Sequence, residues 1–168
     1  MIRTFRLGVF ALALCALCAP ARSDSFLLEL DGRWTGSGWA KQTAHSEKQA
    51  VRCRISGRYR QRAEQLSISG RCAGGGRSIA IQGRVSRTGT AIYSGTWSGL
   101  SGGEPRTVRG HRRGNAIRFS WTEVDRKTGK FVRNRTTWRV MNGQFILTLH
   151  QKGAENRKLA DVVFSRPP

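Results

Sequence analysis

The sequence predicts an all-β protein, an antiparallel up-and-down meander closed into a barrel of about eight to ten strands. Three observations predict this fold. Apolar residues alternate with polar ones at the two-residue period of strands, turn signals recur at a regular spacing, and glycines recur on the faces that should point inward. Those inner glycines, at positions 57, 70, 83 and 95, permit the sharp coiling that closes a sheet on itself.

The amino-terminal 21 residues have the pattern of a secretory signal peptide. Arg3 and Arg6 precede an unbroken apolar run over residues 7–19, and cleavage is expected after Ala21, with Ser23 as the alternative. The apolar run is shorter than the roughly 20 residues that span a membrane. The pattern therefore predicts Sec-type export of a soluble protein to the periplasm or the medium of a Gram-negative bacterium.

The chain after the leader is predicted to form one domain over residues 26–166, because no linker, repeat or change of composition divides it.

The full sequence, leader included, has thirty basic and ten acidic residues, a formal net charge of +20 at pH 7, and 24 of the basic residues are Arg. Unpaired charge at this density destabilises a compact chain by self-repulsion. The composition therefore favours a protein that binds an anionic partner.

The stretch 51–73 predicts a β-hairpin closed by a disulfide. Folding it about the polar turn 61–64 places Cys53 opposite Cys72, and these are the only cysteines left once the leader is removed. The other opposed pairs are Ile55 with Gly70, Gly57 with Ile68, and Tyr59 with Leu66. The same register turns five arginines toward water: Arg52, Arg54, Arg58, Arg60 and Arg71.

Later strands are predicted between turn signals at residues 78–86, 90–98, 106–112, 116–124, 130–140, 144–151 and 157–165. No helix of normal length fits between these turns, and the best short candidates are residues 48–52 and 151–158. The alternation directs aromatic side chains inward at Trp34, Tyr93, Trp97, Trp121 and Trp138.

Two further basic groups accompany the hairpin arginines. Arg106, Arg109, Arg112 and Arg113 surround His111, and Arg133, Arg135 and Arg139 surround Trp138. Cations mixed with aromatic side chains are typical of nucleic-acid and polysaccharide surfaces, although a solvated outer face has the same pattern. We expect the arginines other than Arg106 to bind polyanions together with the hairpin arginines. Because the leader directs export, the expected partners are anionic lipid head groups, lipopolysaccharide, acidic exopolysaccharide and extracellular DNA, in that order.

The inner aromatic residues support an alternative function. Tyr93, Trp97, Trp121 and Trp138 would line a pocket for a small apolar ligand if the barrel is hollow, whereas a narrow barrel is filled by its own side chains. The packed core is the favoured interpretation. A third interpretation is a periplasmic protease inhibitor that acts through its amino-terminal segment. It ranks last because that segment, residues 22–26, is short.

No pattern in the sequence predicts catalysis, a metal site or a cofactor. His45, His111 and His150 stand at no metal-ligand spacing. Glu123 and Asp125 are close in sequence, and we expect them to offset nearby positive charge rather than to act as an acid–base pair. The sequence has no serine nucleophile elbow and no phosphate-binding loop. The expectation is a non-enzymatic, monomeric binding protein.

Residues 30–36, Leu-Asp-Gly-Arg-Trp-Thr-Gly, resemble the first strand of the calycin superfamily, the avidin-like and lipocalin-like barrels that open with Gly-x-Trp. The resemblance implies that Gly32 and Trp34 close the barrel floor and that Arg166, after the last strand, packs over Trp34. The chain also resembles small secreted bacterial proteins of unassigned function that share this start, an Arg-Cys-Arg strand and a later Arg-Cys-Ala. It lacks the lipocalin Thr-Asp-Tyr signature and the biotin contacts of avidin, so the resemblance implies architecture rather than a ligand.

Overall fold

The computed structural model describes residues 25–100, 105–124, 129–152 and 156–168. The predicted leader and Asp125 lie outside these ranges. A short helix, α1 (Ser25–Glu29), precedes ten strands. The strands are β1 (Gly32–Ala40), β2 (Gln49–Arg60), β3 (Gln65–Gly74), β4 (Arg77–Arg87), β5 (Ile92–Ser98), β6 (Arg106–Arg113), β7 (Ala116–Val124), β8 (Phe131–Met141), β9 (Gln144–Lys152) and β10 (Asn156–Ser165).

The strands form a closed antiparallel barrel. Each strand pairs with the next along the chain, and β1 pairs with β10 through Thr35 opposite Ser165 and the residues that follow. Closure pairs the two edges that an open sheet would leave free for aggregation. The predicted all-β meander is confirmed, with a strand number at the upper end of the expected range.

The β2–β3 hairpin has the predicted register. Cys53 lies opposite Cys72 and is bonded to it, and the three other predicted pairs are also present. A 3₁₀ turn (Gln61–Ala63) followed by Glu64 in a left-handed conformation reverses the chain. Along β2 the buried positions alternate with exposed ones, so the cysteine lies inside and the flanking arginines lie outside.

Inner glycines let the backbone and the core approach closely. A Cβ added at Gly57 would lie 2.1 Å from the carbonyl oxygen of Leu30, and one added at Gly83 would lie 2.4 Å from the Trp97 ring. Neither distance is possible for a real Cβ atom. These glycines therefore make room for the segment after α1 and for the aromatic core.

The barrel interior is an aromatic cluster around Trp138. Its ring centroid lies 4.8 Å from those of Trp97 and Phe119 and 6.0 Å from that of Phe145, all with edge-to-face geometry. Phe145 also stacks on Phe164 at 5.3 Å. Such contacts stabilise by about 0.5–1.5 kcal/mol per pair beyond area burial. The predicted packed core is present in this part of the barrel.

Local structure differs from expectation at the short helices. Residues 49–52, within the helical candidate 48–52, belong to β2, because pairing with β1 from Ala40 opposite Gln49 outweighs local preference. The described part of 151–158 lies in β9 and β10. The helix that does form, α1, buries Phe26 and Leu27 under one end of the barrel. Within the described ranges no helix is long and apolar enough to cross a membrane.

Replacing both Cys53 and Cys72 with alanine should lower the free energy of unfolding by about 3 kcal/mol, because the cross-link restricts the unfolded chain. Urea denaturation followed by circular dichroism measures the change. Reduced wild-type protein is the control, since it keeps both side-chain volumes in the core. Equal urea midpoints for the oxidised and reduced wild-type chains would show that the disulfide does not stabilise the barrel.

Candidate functional site: the basic outer surface

The arginines of the β2–β3 hairpin lie on the outer face of the barrel. Arg52, Arg54 and Arg71 line a shallow groove of about 510 Å³ together with hydroxyl-bearing residues of β1 and β10. Arg54 lies directly opposite Arg71 in the strand ladder, whereas Arg58 faces Ser67 and Arg60 faces Gln65. All five predicted hairpin arginines are exposed. We call Arg52, Arg54, Arg58, Arg60 and Arg71 the hairpin face.

The described carboxylates are mostly engaged elsewhere, so they do not neutralise the hairpin face. Asp31 accepts a hydrogen bond from the backbone N–H of Tyr59, and Glu123 accepts one from Asn134. Glu64 forms an ion pair with Arg87, and Asp161 forms one with Lys158. Among the described residues no carboxylate forms an ion pair with Arg54 or Arg71. Like charges directly opposite on neighbouring strands are destabilising. The Arg54–Arg71 pair therefore carries a local cost that an external anion would relieve.

A second basic area lies on the outer face of β6 to β10. One cross-strand row runs from Arg109 through Ser120, Arg135 and His150 to Lys158, each residue opposite the next. The predicted residues Arg113, Arg133 and Arg139 are exposed nearby on β6 and β8. Arg118, Lys158 and His150 also belong to this area, although the sequence analysis did not select them. The alternation in 116–124 would have placed Arg118 outside, because its neighbours Ile117 and Phe119 face inward.

Arg112 does not belong to this outer surface. It follows Val108 and Gly110 on the inner row of β6, and its guanidinium lies 5.5 Å from the centroid of the Phe26 ring. Its Nε donates to the carbonyl oxygen of Gly114 at 3.0 Å. Strand parity therefore places Arg112 on the inner row, whereas its position in the basic cluster around His111 predicts an outer one. The side chain helps to seal α1 against the barrel.

His150 experiences the positive charge of the second area. Burial lowers its pKa below the ordinary histidine value of 6.5, and the charges of Lys158 and Arg135 lower it further, while Asp161 acts in the opposite direction. A lowered pKa means that protonation is disfavoured in the folded state, so protonating this group as the pH falls through 6.5 opposes folding. The imidazole is therefore mostly uncharged at neutral pH.

Gly32, Trp34 and Arg166 meet at the α1 end of the barrel. The Arg166 guanidinium lies 4.5 Å from the Trp34 ring centroid and donates to the carbonyl oxygens of Asp31 and Glu29, both at 3.0 Å. Gly32 has a φ of +102°, and a Cβ there would lie 2.7 Å from Nη1 of Arg166. Glycine thus supplies both the left-handed backbone and the space for the guanidinium.

The predicted ligand-lining residues are buried in the interior. Tyr93, Trp97, Trp121 and Trp138 are at most 9% exposed. A cavity of about 530 Å³ lies elsewhere, at the Ala40 end of β1, and its lining combines Val51, Ile79 and Leu100 with polar side chains. None of the four predicted residues lines that cavity.

The candidate chemical groups do not converge on a reaction centre in the described part of the chain. His45 Nδ1 lies 3.0 Å from Nη1 of Arg157, and His111 is exposed on β6. Glu123 accepts hydrogen bonds from Asn134 Nδ2 at 2.6 Å and from Trp121 Nε1 at 3.4 Å. No three His, Cys, Asp or Glu side chains of the described residues are grouped as metal ligands.

Comparison with known proteins identifies a similar fold but no family. No family model and no curated protein matches this sequence. Among solved structures the chain is similar to Rv2717c from M. tuberculosis, with 14% sequence identity over 88% of this chain and 100% of that chain and a TM-score of 0.65. At this identity the likeness shows a common barrel architecture and carries no function. The calycin resemblance stays a prediction.

Replacing Arg166 with methionine should lower the free energy of unfolding by about 2 kcal/mol, because it removes a cation–π contact and two charge-assisted hydrogen bonds. Thermal denaturation measures this loss. The matched control is Arg54→Gln, which should leave the midpoint unchanged or slightly higher, because among the described residues its side chain makes no ion pair or ring contact and lies opposite Arg71. If Arg54→Gln lowers the unfolding free energy more than Arg166→Met does, Arg54 rather than Arg166 is the residue that stabilises the barrel.

Proposed function

We propose that this protein is a secreted or periplasmic, non-enzymatic binding protein whose basic outer surface binds anionic components of the cell envelope. The partners are anionic lipid head groups, lipopolysaccharide or acidic polysaccharide, and extracellular nucleic acid is a further possible ligand. The observation that carries the proposal is Arg54 opposite Arg71 with no ion-pairing carboxylate among the described residues.

The arrangement of donors around that pair suits a bound anion. Ser165, Thr35, Arg54 and Arg71 occupy successive positions across β10, β1, β2 and β3. This row therefore presents hydroxyl and guanidinium donors along one line of the groove. Guanidinium groups form paired, planar hydrogen bonds with phosphate and carboxylate, which a lysine ammonium does not. An anion lying along the row would gain hydrogen bonds and relieve the Arg54–Arg71 repulsion.

Export supports the same partners. The predicted leader sends the chain out of the cytoplasm, and the Cys53–Cys72 disulfide is of the kind that persists in oxidising compartments. The calycin-like assignment of the barrel belongs to this proposal too. The packing of Arg166 over Trp34 beside Gly32 supports it, because the resemblance implies that arrangement.

A second candidate function is transport or storage of a small, largely apolar ligand. The cavity of about 530 Å³ at the Ala40 end favours it, because small-molecule sites commonly measure 300–1,000 Å³. Its apolar lining includes Val51, Ile79 and Leu100, and Lys41 and Arg77 also line it. The ligand would therefore combine an apolar body with an anionic group, and it would bind at the barrel mouth rather than among the central tryptophans.

Replacing Arg54, Arg58 and Arg71 together with glutamine should weaken binding to duplex DNA and flatten its salt dependence. Each phosphate contact contributes about −0.9 to the slope of log affinity against log salt, so each lost contact should reduce the slope by that amount. Binding titrations at several salt concentrations measure it. The matched control replaces the same residues with lysine, which should keep most of the slope. A flat salt response of the wild-type protein would contradict the proposal.

If the second candidate is right, protein exported to the periplasm and purified without denaturation should carry a small molecule. Native mass spectrometry should then show an added mass that organic extraction removes. The control is Leu100→Arg, which places charge against the cavity and should reduce the occupied fraction. A wild-type spectrum with only the mass of the polypeptide would argue against this function.

A further inference from the structure

We propose that the groove on the outer face of β7 to β10 is a discrete site for a phosphomonoester group. The inference rests on the proposed function, since both use the basic surface, but it names one site and one ligand chemistry. The groove measures about 340 Å³ and is lined by Arg118, Arg135, Arg139, Lys158, His150 and neighbouring residues that are polar apart from Ile146. We call it the β7–β10 groove.

Strand register places the donors of the groove around Thr137. Arg118 and Thr148 lie directly opposite Thr137 on the strands to either side. Arg135 and Arg139 flank it on β8, each two residues away, so both project from the same face at a spacing of roughly 7 Å. An anion over Thr137 would therefore meet one hydroxyl below it and guanidinium groups from three directions.

Charge in the groove is strongly unbalanced. Arg118, Arg135, Arg139 and Lys158 are permanently cationic at neutral pH, while the adjacent carboxylate, Asp161, is ion-paired with Lys158. Thr137 and Thr148 add hydroxyl donors. Among the described residues, no carboxylate pairs with Arg118, Arg135 or Arg139. Three guanidinium groups thus converge on one concave area without a counter-ion among the described residues.

A phosphomonoester fits this arrangement better than the other common anions. It carries about 1.5 to 2 negative charges at neutral pH on three terminal oxygens, enough to accept hydrogen bonds from several guanidinium groups at once. A carboxylate has one charge and two oxygens. Phosphodiesters along a nucleic acid carry one charge each and are spread along the strand, whereas this groove concentrates its donors within the lower range of small-ligand volumes.

His150 gives the site a pH dependence. Burial, Lys158 and Arg135 lower its pKa, and Asp161 opposes them weakly, so the imidazole is mostly neutral when the groove holds no anion. A bound dianion offsets the charges of Lys158 and Arg135 and raises that pKa, so binding takes up a proton as the pH falls toward the pKa of the imidazole in the complex. The ligand itself gains a proton near pH 6, which makes a sulfate monoester of constant charge the proper reference.

The first test is calorimetric titration of the full exported chain with glycerol 3-phosphate at pH 7.5. We expect one saturable site and a loss of affinity of about tenfold or more in Arg135→Gln/Arg139→Gln, because each lost charge-assisted hydrogen bond costs at least that much. The matched control, Arg62→Gln/Arg84→Gln, removes the same charge from exposed positions outside both proposed binding surfaces and should change affinity less than about twofold, because screening weakens distant charges. Absence of a saturable site, or equal loss in both variants, would overturn the proposal.

Vesicles identify the source of the phosphate. Phosphatidic acid carries a phosphomonoester and phosphatidylglycerol a phosphodiester, so vesicles of the two lipids at matched surface charge compare the two kinds of phosphate in a membrane. A preference for phosphatidic acid that Arg135→Gln/Arg139→Gln abolishes supports a lipid ligand. Binding of soluble glycerol 3-phosphate without a vesicle preference supports a soluble one.

The pH readout separates a specific site from general attraction. His150→Gln should keep most of the affinity for glycerol 3-phosphate at pH 7.5 but lose the proton uptake on binding. Calorimetry in two buffers measures the uptake, and a sulfate monoester serves as the reference ligand of constant charge. Equal proton uptake in both proteins would overturn the role of His150.

Heparin, which is sulfated and has no phosphate, tests the proposed function separately. A steep salt dependence for heparin combined with no phosphate site would refute this inference and leave polyanion binding intact.

Discussion

The structure depends on the two-residue period of strands in a sheet that closes on itself. Since β1 pairs with β10, no strand can slip without disturbing its neighbours around the ring. A shift of one residue would turn every side chain to the opposite face. In β2 it would bury Arg52 and Arg54 and expose Cys53. The Cys53–Cys72 bond and the cost of burying guanidinium groups therefore select the same register.

That register separates the packed apolar core from the basic outer face. The inner face is occupied by aromatic contacts centred on Trp138, so the middle of the barrel serves stability. The outer face collects arginine, and its self-repulsion must be offset by the core, the disulfide and the closure by Arg166 over Trp34. A protein with so much unneutralised surface charge gains stability whenever an anion binds, because any ligand of the folded state favours folding.

Sequence alone predicted the features set by strand parity. Parity predicted the hairpin pairs and the inner aromatic rows, and the calycin resemblance implied the meeting of Gly32, Trp34 and Arg166. The sequence missed features set by tertiary contacts: α1 forms because Phe26 and Leu27 find a cover at the barrel end. The basic cluster around His111 predicts an outer position for Arg112, although strand parity puts its side chain on the inner row. The β7–β10 groove joins residues of four strands, and its alignment depends on a register shift in β10 between Lys158 and Ala160 that no local pattern reveals.

The role of each arginine follows from the acceptors around it. Arg166 has two backbone carbonyl groups and a tryptophan ring, Arg87 has the carboxylate of Glu64, and Arg112 has a carbonyl group and a phenyl ring. Those guanidinium groups are engaged within the chain and hold its ends and turns together. Arg54 and Arg135 have no carboxylate partner among the described residues, and each lies beside other cations. A guanidinium donates several hydrogen bonds in a fixed plane and keeps its charge at all physiological pH values. Where the described residues supply no anionic acceptor, an external anion would satisfy both the charge and the geometry, as the proposed function requires.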